Sequence, residues 1–152
     1  HLWPQFRDEQ RKMLNLIPNT GMAVCSDIGA RDDVHPTNKK VVGERLARWA
    51  LNATYGKAII PSGPLPIKTR YENGKVIIKF QHPAKGLKTP DGLKGFSVDS
   101  KNEIEAIFGD GGITIFVKRK PQYVYYGWQP FSKGNLINSE ALPASTFKIK
   151  VL

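Results

Sequence analysis

The stretch GMAVCSDI, residues 21–28, does most to limit what this chain can build. A short run that is apolar at consecutive positions reads as a strand covered on both faces, as in a parallel sheet. It lies between two helical patterns. Residues 4–14 can form a helix, with Pro4 tolerated in the first turn and Phe6, Gln10, Met13 and Leu14 on neighbouring faces. Residues 37–55 carry the clearest helix. Val42, Leu46, Trp49, Ala50 and Ala53 mark its apolar stripe, Lys39, Glu44, Arg45 and Arg48 can face water, and Gly56 supplies a stop. One strand and two helices cannot make a doubly wound sheet, because the strand's edges and faces demand neighbours. Residues 1–57 are therefore expected to be the last β/α unit of a larger α/β domain. The missing strands would come from upstream sequence or another chain, and the opening His1-Leu2-Trp3-Pro4 reads as if cut from something longer.

The periodicity changes after residues 59–64, a linker stiffened by Pro61 and Pro64. Residues 67–71 and 76–80 flank Glu72-Asn73-Gly74, and Asn-Gly is a strong hairpin signal. Further strands are expected at 93–98, 103–108, 113–118, 122–128 and 146–152. Gly109-Asp110-Gly111-Gly112 and Pro121 mark turns between them, and Asp99 and Asp110 read as turn formers. Seven strands in this span predict an all-β sandwich over residues 58–152. Trp128, Tyr123, Tyr125 and Tyr126 are expected to serve core and cross-strand packing.

Composition narrows the function classes. The chain carries 23 basic and 13 acidic residues, a net charge of +10, which could signal a polyanion partner. The lysines instead sit in or beside strand patterns, as in Phe147-Lys148-Ile149-Lys150-Val151, where they can face solvent and blunt sheet edges. No nucleic-acid partner is expected, and no membrane partner either, since no apolar run approaches the roughly 20 residues that cross a bilayer. Cys25 is the single cysteine, so an intrachain disulfide is excluded; it reads as a small buried hydrophobic thiol. No Gly-rich phosphate loop, H-E-x-x-H or EF-hand pattern occurs, and neither cofactor nor metal is expected. His82, before Pro83, reads as a surface-loop residue.

Asp32-Asp33-Val34-His35-Pro36 follows the carboxyl end of the predicted strand, where catalytic groups gather in open α/β sheets. An aspartate three positions before a histidine on one loop can turn back and accept the imidazole Nδ1–H. That contact fixes the tautomer and stabilises the imidazolium formed when the other nitrogen takes a proton. Pro36 would hold His35 in extended backbone and help aim the ring. The motif alone also fits a solvated loop histidine.

The flanking residues carry a resemblance. Asn19-Thr20-Gly21-Met22-Ala23-Val24, Asp27-Ile28-Gly29, Asp33-Val34-His35-Pro36-Thr37-Asn38-Lys39 and Val42-Gly43-Glu44-Arg45-Leu46-Ala47-Arg48-Trp49-Ala50-Leu51 resemble the C-terminal part of bacterial sialate O-acetylesterases, which are SGNH (GDSL-like) hydrolases. The likeness continues through Gly92-Leu93-Lys94-Gly95-Phe96, Val124-Tyr125-Tyr126-Gly127-Trp128, Asn135-Leu136-Ile137-Asn138 and Leu142-Pro143-Ala144. It implies the closing unit of a flavodoxin-like three-layer domain, then an accessory β-sandwich. It implies acetyl-ester hydrolysis on sugars by a Ser-His-Asp mechanism, in a secreted or periplasmic protein. His35 would be the base and Asp32 the orienting acid. Asp33 is the rival, because relatives often place the acid two residues before the histidine. The nucleophilic serine and oxyanion donors would lie in an upstream N-terminal portion of the same enzyme, the implied partner alongside an O-acetylated carbohydrate. Ser26 shows no nucleophile elbow, so this chain alone should be inactive. The alternative is a glycan-binding or purely structural β module with no activity of its own.

Overall fold

The computed structural model describes residues 2–35, 37–109 and 111–152. Pro36 and Asp110 lie outside these residues, and with them the aiming of His35 by Pro36 and the turn-forming role of Asp110. Helix α1 (Trp3–Leu16) takes Pro4 into its first turn. Helix α2 (Lys39–Trp49) is capped by Asn38, whose side-chain oxygen accepts from the Val41 N–H at 3.3 Å, satisfying one orphan donor of the first turn. The helix runs on through one π-helical turn, Ala50–Thr54, and Gly56 follows with φ 62°.

Everything after this is antiparallel β. Strands β1 (Leu65–Glu72) and β2 (Lys75–Gln81) form the expected hairpin; Asn73 and Gly74 both have positive φ, 48° and 73°. That pair of values is what a two-residue turn needs to match the strands' twist. The remaining strands are β3 (Leu87–Lys88), β4 (Phe96–Ser97), β5 (Ile107–Gly109), β6 (Gly112–Phe116), β7 (Tyr123–Tyr126), β8 (Ile137–Asn138) and β9 (Phe147–Lys150). Their order is β1-β2-β6-β5 in one sheet, β4-β7-β9 in a second, and β3-β8 as a small pair. The two larger sheets meet over one core. Val76, Ile78, Phe80, Ile113 and Ile115 come from the first, and Phe96, Val124, Tyr126 and Phe147 from the second. At its centre the Phe147 ring stacks on Tyr126 (5.4 Å) and takes Phe80 edge-on (5.9 Å).

Several expectations are corrected. The strand expected at 93–98 contracts to β4, and that at 103–108 to β5 plus a single bridge between Ser97 and Glu103. Strands β3 and β8 are two residues each, too short to leave a period-two pattern. Residues 61–64 are all buried, so this stretch is part of the β structure and not a free linker. A Cβ on Gly63 would lie 2.0 Å from the Pro143 carbonyl oxygen, which only glycine avoids. Residues 21–28 form no strand. Residues 21–25 join no ladder among the described residues, and residues 26–28 form a turn. A ladder needs a neighbouring strand, and the strands described here are all engaged in the β sheets.

The helices leave apolar side chains uncovered. No residue of α2 is buried, and Leu46 and Leu51 of the expected stripe region are 47% and 39% exposed. In α1 the buried positions are Pro4, Asp8 and Arg11, while Leu2, Phe6, Met13, Leu16 and Ile17 along it stand in the open. Helix α1 thus turns a polar side to the β structure and its apolar side outward, the reverse of a surface helix.

The β structure is locked by Asn138, which is fully buried. Its amide nitrogen donates to the Ser62 and His82 carbonyls, both at 3.0 Å, and its oxygen accepts from the Glu140 and Leu142 N–H groups at 3.1 Å. Asn138→Ala leaves four buried or half-buried backbone groups without that partner. We expect a loss of about 3 kcal/mol or more, read as a lower denaturant midpoint at unchanged slope.

Candidate active site

The loop carrying the candidate residues is suspended between α2 and the β structure. Arg45 donates to both oxygens of Asp27, at 2.7 and 2.6 Å, and to the Val24 carbonyl. One turn later, Trp49 Nε1 donates to the Met22 carbonyl at 2.9 Å. Two side chains spaced four residues apart on a helix therefore bind alternate carbonyls of residues 22 and 24. This corrects the reading of Arg45 as a water-facing residue; its side chain is only 11% exposed. A charge so covered is tolerated because a bidentate carboxylate meets it. Gly21 fits under the Trp49 side chain, whose Cβ would lie 2.6 Å from any added Cβ.

Cys25, within the clamped stretch, is half-buried. Burial pushes its thiol pKa up, and Asp27 adds to this while Arg45 opposes it. The thiol stays protonated and unreactive, as a small packing residue does. Ser26 lies in the turn of residues 26–28. At the other end of the loop the Arg31 guanidinium sits 5.6 Å from the centre of the Phe131 ring, tying the loop to the β structure.

Asp33 and His35 project from this loop. The Nδ1 of His35 is 3.0 Å from Asp33 Oδ1, and the same oxygen accepts the His35 backbone N–H at 2.8 Å. One carboxylate oxygen thus holds a residue two positions ahead by both main chain and ring. With Nδ1–H donated to Asp33, Nε2 is the nitrogen that carries the lone pair. The carboxylate brought to the ring is Asp33, the rival acid; Asp32 lies exposed beside it. The His35 side chain is 84% exposed and that of Asp33 55%. A hydrogen bond so open to water contributes little to stability.

His82 is not simply a surface residue. It is half-buried, its ring meets Trp49 edge-on at 6.1 Å, and burial lowers its pKa. It belongs to the seam where Arg48 also binds the Ile60 carbonyl (2.8 Å) and Glu140. Asp99 is a turn former, as expected. It accepts from Lys101 N, Asn102 N, the Asn102 side chain and Ser97 Oγ, and these bonds, led by the Asn102 N–H, hold its carboxyl well below the usual range. Among the described residues, no group of three or more His, Cys, Asp or Glu side chains could hold a metal ion.

No family model and no curated protein matches the chain. Among solved structures, a carbohydrate acetylesterase from Xanthomonas citri is similar, with 32% identity and a TM-score of 0.81 over 92% of this chain. The chain spans 34% of that protein's length. It is therefore related, in sequence and in fold, to one portion of a carbohydrate acetylesterase.

Removing the clamp should free the loop without unfolding the molecule. For Arg45→Met we expect hydrogen exchange at residues 22–28 to accelerate as if local opening were easier by about 2–3 kcal/mol, while exchange in β2 and β6 stays unchanged.

Proposed function

We propose that this chain is the carboxyl-terminal portion of a carbohydrate O-acetylesterase of the SGNH type, supplying the general base and its orienting acid to a serine held on preceding polypeptide. The observation that carries this reading is the His35–Asp33 pair. Its ring is fixed through Nδ1 at 3.0 Å, and Nε2 is left to accept a proton. The relationship to an acetylesterase over 92% of the chain points the same way, as do the uncovered apolar faces of α1 and α2.

The chemistry follows in two steps. A serine hydroxyl attacks the carbonyl carbon of a sugar acetate while His35 Nε2 takes its proton. The tetrahedral intermediate collapses, the sugar oxygen leaves with that proton, and an acetyl-serine remains. His35 then deprotonates water, which attacks the acetyl-serine and releases acetate. Through both steps Asp33 keeps Nδ1 protonated and stabilises the imidazolium. A covering layer over residues 29–35 would remove water from the pair and strengthen it. Asp32, one residue earlier, has no such hold on the ring and is assigned no orienting role.

The 152-residue chain alone should release no acetate. Joined to a serine-bearing segment, it should hydrolyse acetylated sugars and 4-nitrophenyl acetate. His35→Ala should then lower kcat/KM on the order of 10,000-fold and Asp33→Asn between about 100- and 10,000-fold, while Asp32→Asn stays within about threefold of the parent. Full activity in His35→Ala would remove the reading, and the reverse order of the two aspartates would move the acid to Asp32.

A further inference from the structure

We propose that the outer face of the β4-β7-β9 sheet, where Tyr123, Tyr125, Trp128 and Lys148 meet, binds a carboxylate-bearing glycan chain. The strand alternation of β7 sends Val124 and Tyr126 into the core, which leaves Tyr123 and Tyr125 half-buried on the opposite side. Of the aromatic residues expected to serve core and cross-strand packing, Tyr126 enters the core, while Tyr123 and Tyr125 pack across the strands on the outer side. Their rings are 6.2 Å apart, and Trp128 continues the row, 5.2 Å from Tyr125 and edge-on to it. Half-buried amphipathic rings on the wet side of a sheet, tilted to one another, offer apolar surface with polar tips. Sugar rings, with C–H groups on their faces and hydroxyls at their edges, are the complement.

Charge narrows the partner. Lys148 is the cross-strand neighbour of Tyr125, and its ammonium lies 4.1 Å from the centre of the Tyr123 ring and 5.7 Å from that of Tyr125. Lys150, opposite Tyr123, falls on the same side of β9. Among the described residues neither lysine forms an ion pair with a carboxylate. A cation steadied on two rings and left without an acid is suited to a carboxylate that arrives with a ligand. Beyond Trp128 a shallow hollow is lined by Ser97, whose hydroxyl is spent on Asp99, and by Ser100, Lys101 and Glu103, which offer one hydroxyl, one cation and one carboxylate. Glu103 Oε1 is already engaged by the Gly95 N–H at 2.6 Å. So few cations, with an acid among them, suit a sparsely charged polysaccharide better than the dense charge of nucleic acid.

The row also leads somewhere. The loop after Trp128 is held from behind by Arg7, which donates to the carbonyls of Gly127 (3.1 Å), Pro130 (3.0 Å) and Gln129 (2.5 Å) and to Thr146 Oγ1 (2.9 Å). Phe131 of that loop meets Arg31, on the loop that carries Asp33 and His35. The loop after Trp128 thus touches the loop that carries the imidazole. That the bound chain is also the carrier of the acetyl ester rests on the esterase reading; that the face binds an acidic glycan does not.

The test uses the 152-residue chain in native gels containing glucuronoxylan, polygalacturonate or neutral arabinoxylan, at roughly physiological ionic strength. Retardation by the two acidic polymers is expected. It should weaken about tenfold in Trp128→Ala and about fivefold in Lys148→Gln, and hold within about twofold in Lys57→Gln, a control on the far side of the linker. Thermal melts report whether the variants fold. Lys148→Gln alters only an outward side chain and decides the matter if Trp128→Ala does not fold. The proposal is overturned by no retardation, by equal retardation on arabinoxylan, or by an equal loss in Lys57→Gln. Tighter binding of single-stranded oligonucleotide through the same residues would overturn it too. Because no catalysis is read, a negative result leaves the acetylesterase assignment standing, and an inactive joined protein leaves this surface standing.

Discussion

Arg45 decides whether this molecule has a site at all. A guanidinium on α2 reaches across 18 residues of sequence to hold both oxygens of Asp27 and the Val24 carbonyl, and the loop bearing Asp33 and His35 hangs from that grip. Residues 21–25 have no sheet to join, so their main-chain polar groups need other partners. Arg45 and Trp49 supply two of them from one helix face. At its far end the loop is steadied by Arg31 on Phe131. Two arginines, one at each end, thus fix a segment whose own residues are otherwise exposed.

The rest of the molecule divides by what it lacks. The β structure is self-sufficient, with core rings drawn from both sheets and buried Asn138 satisfied at all four of its hydrogen-bonding positions. The helical part is not. Helix α1 is fastened to the β structure by Arg7 and buries Asp8 and Arg11, while Phe6, Met13 and Leu16 look outward. The exposed His–Asp pair lies on the same uncovered part.

Much of this was legible from residue order. The helix over 37–55, the Asn73-Gly74 hairpin and the change to β periodicity each rest on local signals strong enough to survive tertiary context. The apolar run at 21–28 misled, because a strand exists only where a neighbour pairs with it, and here the main chain is met by side chains of α2 instead. What local pattern could not give was pairing over distance. Nothing in the spacing of Arg45 and Asp27 announces their contact, although Arg45 and Trp49 at i and i+4 share a face and hint at it. Strands β3 and β8 exist only as each other's partner. The choice between Asp32 and Asp33 turned on backbone conformation. One oxygen of Asp33 takes both the N–H and the ring of the residue two ahead, the spacing that made Asp33 the rival acid in the sequence.

The central claim is that the His35 imidazole performs the proton transfers of ester hydrolysis. Chemical rescue tests it most directly. In the serine-bearing protein, His35→Gly opens a space for free imidazole, and acetate release should recover in proportion to imidazole added. A variant that hydrolyses at the parent rate without imidazole, and ignores its addition, would contradict the account.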